Sequence, residues 1–168
     1  GRIVIVTDGD DVFHAAQEFG ADVIRESGGG INEAIHCGLA SVSNGPVIIL
    51  MCDLPYLDAN VLDDVVNQLS RHDAIIASDR WNEGTNVLVL QSPGIMSTHF
   101  GNVDSRRRHV DEAKKRGIDL HLFTSSAFAF DIDTSEDLKD FESARGERHV
   151  RHRSVFLQEG YTIDSISG

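Results

Sequence analysis

The sequence predicts an α/β fold: three layers, α/β/α, with a mostly parallel sheet carrying helices on both faces. Three observations lead there. Short apolar runs such as Val47-Ile48-Ile49-Leu50-Met51 have the continuous hydrophobicity of strands buried on both sides. Between such runs, apolar residues recur at i, i+3, i+4 and i+7, which is one face of a helix. Strand and helix alternate through the first half of the chain, with connections of a few residues.

In order, Ile3 to Val6 reads as the first strand, running into Asp8-Gly9-Asp10, an acidic turn suited to a helix start. Val12, Ala15, Ala16 and Phe19 mark the first helix, which Gly20 ends. Asp22 to Arg25 is a second strand, closed by Ser27-Gly28-Gly29-Gly30, and Ile31, Ala34, Ile35, Gly38 and Leu39 mark a second helix. Gly45-Pro46 breaks the chain before the run at Val47 to Met51, expected as a central parallel strand. Val61, Leu62, Val65, Val66 and Leu69 give a third helix. Ala74 to Ala77 and Val87 to Leu90 are further strands. Arg106 to Arg116 has few apolar positions and reads as a surface helix. Leu120 to Phe123 and Phe128 to Phe130 are late strands, and Thr134-Ser135-Glu136-Asp137 opens a final helix in capping-box style.

The chain's 168 residues fit one domain with a real core. Fifteen basic against 27 acidic residues give a net charge of −12, which disfavours nucleic-acid backbones and anionic membranes as partners. A carboxylate-rich site still accepts a triphosphate when divalent cations stand between the two sets of charge. No apolar stretch is long enough for a membrane span, and no basic-apolar leader opens the chain, so the cytoplasm is the expected location. Cys37 and Cys52, in apolar surroundings and without metal-type spacing, are expected as reduced core residues. The chain has no initiator methionine and opens directly on a strand, as a fragment or a sequence lacking its earlier part would. From Ser143 it turns polar and basic, so 1–142 is expected as the domain and 143–168 as an appendage or an oligomer contact.

In doubly wound sheets, ligands bind beyond the carboxyl ends of the strands. Asp53, in Met51-Cys52-Asp53-Leu54-Pro55, stands there: either a magnesium ligand or a turn and capping residue. Asp131 and Asp133, in Phe130-Asp131-Ile132-Asp133-Thr134, would share a face of an extended segment and repel each other without a cation between them. With Asp53 at the same sheet mouth, a shared metal is preferred over loop and capping roles. Thr85 and Asn86, after Asn82-Glu83-Gly84, offer neutral donors to phosphate or carboxylate oxygens, although turn chemistry explains the same residues. Phe100-Gly101-Asn102-Val103-Asp104-Ser105, followed by Arg106 to His109, is either an anion cradle at a helix start or a capped, solvated helix. Gly29, Gly30 and Asn32 lie in a glycine run that could bring backbone against a purine or a phosphate; it matches neither the dinucleotide fingerprint nor the Walker lysine motif.

Taken in order, Gly29-Gly30-Ile31-Asn32-Glu33-Ala34, Asp53-Leu54-Pro55, Gly84-Thr85-Asn86, Phe100-Gly101 with Ser105 and His109, and Asp131-Ile132-Asp133-Thr134 resemble the 2-phospholactate guanylyltransferase family of deazaflavin coenzyme F-420 biosynthesis. The likeness covers residues 2 to 142. It implies a Rossmann-like fold of the nucleotide-diphospho-sugar transferase type. It also implies magnesium on Asp53, Asp131 and Asp133, a phosphorylated acid gripped by Thr85, Gly101 and Ser105, and GTP as the partner substrate. The acceptor would be 2-phospholactate, phosphoenolpyruvate or 3-phosphoglycerate. The family's opening strand and basic loop have no counterpart here, and Gly101 and Ser105 stand one residue further apart than its usual pattern. A molybdopterin or sugar-phosphate acceptor, or a catalytically silent homologue, are the alternatives.

Overall fold

The computed structural model describes residues 1–147. They fall into two compact units, the first Gly1–Asp131 and the second beginning at Ile132. In the first unit, β1 (Val4–Thr7) leads to α1 (Asp10–Glu18), whose first turn holds Asp10 and Asp11, where the helix dipole favours negative charge. Gly20, at φ +74°, turns the chain out of α1, and β2 (Asp22–Arg25) returns parallel to β1 with Val4 opposite Asp22. α2 (Ile31–Ala40) and β3 (Val47–Leu50) follow. α3 (Ala59–Asn67) is capped by Asp58, whose carboxylate accepts the Val61 N–H at 2.9 Å. After β4 (Ala74–Ala77) and β5 (Val87–Leu90) comes α4 (Ser105–Arg116), stopped by Gly117 in the left-handed conformation. β6 (Leu120–Leu122) and α5 (Ser126–Ala129) complete the unit's elements.

β1 and β2 form a two-stranded ladder, and the other strands form a four-stranded sheet in the order β3-β5-β4-β6. The mostly parallel sheet expected from the sequence is met in part. β4 and β6 are parallel, but β5 lies reversed between β3 and β4, antiparallel to both. The reason is the connection at 78–86: a parallel partner needs a crossover of about a dozen residues or more, and this one is too short. β3, expected as a central parallel strand, therefore stands first in the strand order and pairs antiparallel with β5.

Every residue of β4 and β5 is buried, so both faces of the sheet are covered. On one face Ala74, Ile76, Leu88 and Leu90 pack with Ile49, Met96, Phe100 and Ala113 of α4, with Ile35 and Leu39 of α2 alongside. On the other, Ile75, Ala77, Val87 and Val89 pack with Leu54, Val65 of α3, Leu69 and Phe128. Each fully buried aliphatic side chain here contributes about 1.5–3 kcal/mol from desolvation. α4 is less of a surface helix than its charge suggests, because Ser105, His109 and Ala113, four apart, form a buried stripe.

The run expected as a strand at Phe128 to Phe130 begins instead as α5, started by the Ser125 hydroxyl accepting the Ala127 N–H at 3.2 Å. Cys52 is exposed and Cys37 half-buried, both free, so neither is a core residue as expected. In the second unit, α6 (Ser135–Glu147) starts with the reciprocal bonds of a capping box: the Asp137 carboxylate accepts the Thr134 N–H at 2.9 Å and the Thr134 hydroxyl accepts the Asp137 N–H at 3.2 Å. α6 runs past the expected boundary at 142, and the basic tail from 148 onward lies outside the described residues. No helix among the described residues is long and apolar enough to cross a membrane.

Candidate functional site

The connection between β4 and β5 is built on one side chain. The Asp79 carboxylate accepts the backbone N–H groups of Trp81 (3.1 Å), Glu83 (3.0 Å) and Gly84 (2.9 Å). Gly84 is required by that closeness, since a Cβ there would stand 2.8 Å from Asp79 Oδ2. The Glu83 carbonyl in turn accepts the Arg106 N–H at 3.0 Å, tying the connection to the first turn of α4. Thr85, the residue before Asn86 and β5, is thereby held against Ser105.

Three buried polar side chains meet at that point. Ser105 Oγ lies 3.1 Å from Thr85 Oγ1, and Thr85 Oγ1 lies 3.1 Å from His109 Nδ1. The His99 backbone N–H donates to His109 Nε2 at 2.8 Å. An amide N–H can only donate, so Nε2 carries the lone pair and the ring proton sits on Nδ1, facing Thr85. The tautomer follows from the hydrogen-bond network. His109 is 0% exposed, with its ring edge-on to Phe100 at 4.9 Å between centroids. Burial pushes its pKa down to about 4; the neighbouring His99 acts in the same direction and the Ser105 carbonyl opposes it. The imidazole is therefore neutral near pH 7.

Asn86 is committed elsewhere than expected. Its amide nitrogen donates to the Phe128 carbonyl at 2.9 Å and to Asp131 Oδ2 at 3.1 Å, which uses both amide protons. It orients the Asp131 carboxylate. Asp131 is only 9% exposed, whereas Asp133 is exposed and belongs to the second unit. Asp53, half-buried, follows β3 in the first unit. Among the described residues, no three His, Cys, Asp or Glu side chains gather as a metal-holding group.

Asn32 is also spent on backbone: it donates to the Phe100 carbonyl at 2.6 Å and accepts the Phe100 N–H at 2.9 Å. That pair clamps the start of α2 to the segment leading into α4. Gly101 follows at φ +74°, and a Cβ on it would meet Ile31 Cγ2 at 2.7 Å, so only glycine fits the clamp. Gly30, at φ +87°, caps α2, and the Gly29 N–H reaches Glu26 Oε2 at 3.2 Å. Both ends of the Asn32 amide thus bond to Phe100 backbone. Asp79 and the His99 amide escaped the sequence reading; an aspartate four and five residues ahead of Glu-Gly was the available signal for the first.

A family model described as guanylyl transferase CofC like matches residues 1–152. The chain belongs to the CofC-like family. Within it, the chain is 31% identical over 137 residues to a 2-phospho-L-lactate guanylyltransferase of Methanocaldococcus fervens, covering 81% of the chain and 62% of that protein. It is 31% identical to a phosphoenolpyruvate guanylyltransferase of Sphaerobacter thermophilus, covering 82% of the chain and 68% of that protein. A 3-phospho-D-glycerate guanylyltransferase of Phenylobacterium zucineum is 33% identical, covering 86% and 67%. The CofC-like chain thus spans from just over three fifths to two thirds of these relatives' length. In fold it resembles a protein named as a nucleotide-diphospho-sugar transferase from Desulfovibrio desulfuricans G20 (TM-score 0.72, 16% identity, 92% of this chain and 71% of that one). It also resembles a cytidylyltransferase from Leptospira borgpetersenii (TM-score 0.60, 13% identity, 86% and 68%).

Proposed function

We propose that this CofC-like chain transfers GMP from GTP to a small phosphorylated carboxylic acid, releasing pyrophosphate, as a step of deazaflavin coenzyme biosynthesis. The observation that carries the reading is the buried Thr85–Ser105–His109 network. A neutral imidazole and two hydroxyls, more than nine-tenths buried, offer hydrogen bonds without bulk, which suits a small anionic acceptor. The relatives' names supply guanine as the base and 2-phospholactate, phosphoenolpyruvate and 3-phosphoglycerate as candidate acceptors. The fold reading is the three-layer, mostly parallel, nucleotide-diphospho-sugar transferase type, with residues 1–142 as the catalytic domain.

The acceptor's phosphate oxygen attacks the α-phosphorus of GTP in line with the departing pyrophosphate. The phosphate is already anionic, so no strong general base is needed, and catalysis rests on positioning and charge neutralisation. Thr85, Ser105 and the Gly101 backbone hold the acceptor, while Asn86 fixes Asp131 and Asn32 fixes the loop that bears Gly101. Asp131, with Asp53 and Asp133, would hold magnesium, which supplies charge neutralisation between the two anions. The donors are all carboxylate oxygens, as that ion prefers. Such a site would need only one or two of these carboxylates, leaving the other positions to water and phosphate oxygens. The acidic surface fits a cytoplasmic enzyme that binds neither nucleic acid nor membrane.

The experiment is pyrophosphate release with GTP and magnesium, offering each of the three acids separately. Release that depends on one acid selects the acceptor. Absence of release with all three, from folded chain, sinks the proposal.

A further inference from the structure

His109 is fully buried and both ring nitrogens are engaged, so it has no free atom for a ligand. Its tautomer nevertheless determines what its neighbours can do. Thr85 and Ser105 bring two hydroxyl protons to one shared hydrogen bond, so one proton is left over whichever way that bond runs. If His109 carried its proton on Nε2, Nδ1 would accept the leftover proton and the trio would satisfy itself. The His99 N–H forbids this by occupying Nε2 as a donor. With Nδ1–H pointing at Thr85 Oγ1, the ring gives a proton and takes none. The trio then has one hydroxyl proton more than it has internal acceptors. Ser105 is 2% exposed and Thr85 6%, and leaving a buried donor unsatisfied is costly, so the site favours a partner that brings an acceptor oxygen.

We infer that His109 is a positioning residue: held by the His99 amide in its Nδ1–H form, it makes the Thr85–Ser105 pair a net hydrogen-bond donor to an anionic oxygen of the acceptor. This deepens the acceptor site proposed above and rests on that reading. The ligand class it selects is a carboxylate or phosphate oxygen, which only accepts. An alcohol or amide in the same place could bring a proton of its own and gain less. Burial keeps the ring neutral, so the preference does not depend on a positive charge.

The first test needs no variant. Long-range 15N NMR of the full chain should show the His109 side chain with Nδ1 protonated and Nε2 bare, unchanged from pH 8 to 6. An Nε2–H tautomer, or a ring protonated at pH 7, overturns the inference and leaves the proposed reaction standing. The second test is calorimetric titration with phosphoenolpyruvate, 2-phospholactate and 3-phosphoglycerate in magnesium buffer. Loss of one hydrogen bond to a charged group weakens binding by roughly ten- to a hundredfold, so Thr85→Val should lose that much for the acid that binds, and His109→Phe, which removes the Nδ1–H that holds the Thr85 hydroxyl in place, should lose a smaller but measurable part of it. In His109→Asn the side-chain amide can still donate where Nδ1 did, and affinity should stay within about threefold. Wild-type affinity in a folded His109→Phe protein overturns the positioning role. If that variant does not fold, equal losses in His109→Asn and Thr85→Val do the same. A wild-type chain with the Nδ1–H tautomer that binds none of the three acids overturns the acceptor reading, and this role with it.

Discussion

Single residues carry much of the geometry around Thr85, and each can be challenged by itself. Gly101 combines φ +74° with Ile31 Cγ2 2.7 Å from where a Cβ would stand. Gly101→Ala should therefore cost about 2–4 kcal/mol in urea unfolding, the sum of a left-handed penalty and local overpacking. His109 has a pKa of about 4 in the folded chain against 6.5 unfolded, so between those values the unfolded state binds more protons. Its contribution to stability is complete above pH 6.5 and is lost as pH falls towards 4. Unfolding free energies of wild type and His109→Phe should thus converge or cross over that window, by up to about 3 kcal/mol. Asp131→Asn still offers an oxygen to the Asn86 amide but removes the charge. In it and in Asp133→Asn, pyrophosphate release should fall by about a hundredfold or more while the melting temperature moves little. Near-full activity in both variants would remove the metal assignment.

At the scale of elements, the connection between β4 and β5 is the part most open to intervention. Asp79→Ala leaves the amides of Trp81, Glu83 and Gly84 without their acceptor. The variant should lose about 1–3 kcal/mol and exchange the Glu83, Gly84 and Arg106 amide hydrogens faster, with acceptor affinity falling through Thr85. Unchanged exchange at these amides would show that the carboxylate does not shape the connection. The strands and most helices could be read from the sequence, because apolar runs and helical periodicity report burial directly. The direction of β5 was also readable, from the length of 78–86, but strand alternation suggested a parallel sheet. α5 was misread because Phe128-Ala129-Phe130 is apolar in either conformation and Ser125 decides between them. At the site, residue types pointed to Thr85, Ser105 and Asp131, and the family resemblance added His109. They did not disclose that Asn32 and Asn86 bond inward. Such amides serve backbone and ligand equally well, and Phe100 lies 68 residues beyond Asn32.

For the molecule as a whole, the net charge of −12 sets the terms on which it would meet the proposed nucleoside triphosphate and phosphorylated acid. Without a divalent cation the two proposed substrates and the protein would repel one another. Chelation with EDTA should abolish pyrophosphate release and excess magnesium should restore it; release that persists through chelation would refute this account. The reversed β5 has a consequence for how the chain assembles. β3 is synthesised before β4, yet its ladder partner β5 emerges only after β4 is complete. Closing the short connection at 78–86 costs less chain entropy than bringing β3 across from further away. On these grounds the β4–β5 hairpin should form before β3 and β6 add to its two sides. The segment that ends in Thr85 would then take its shape early, so errors in it should show first as slow or failed folding.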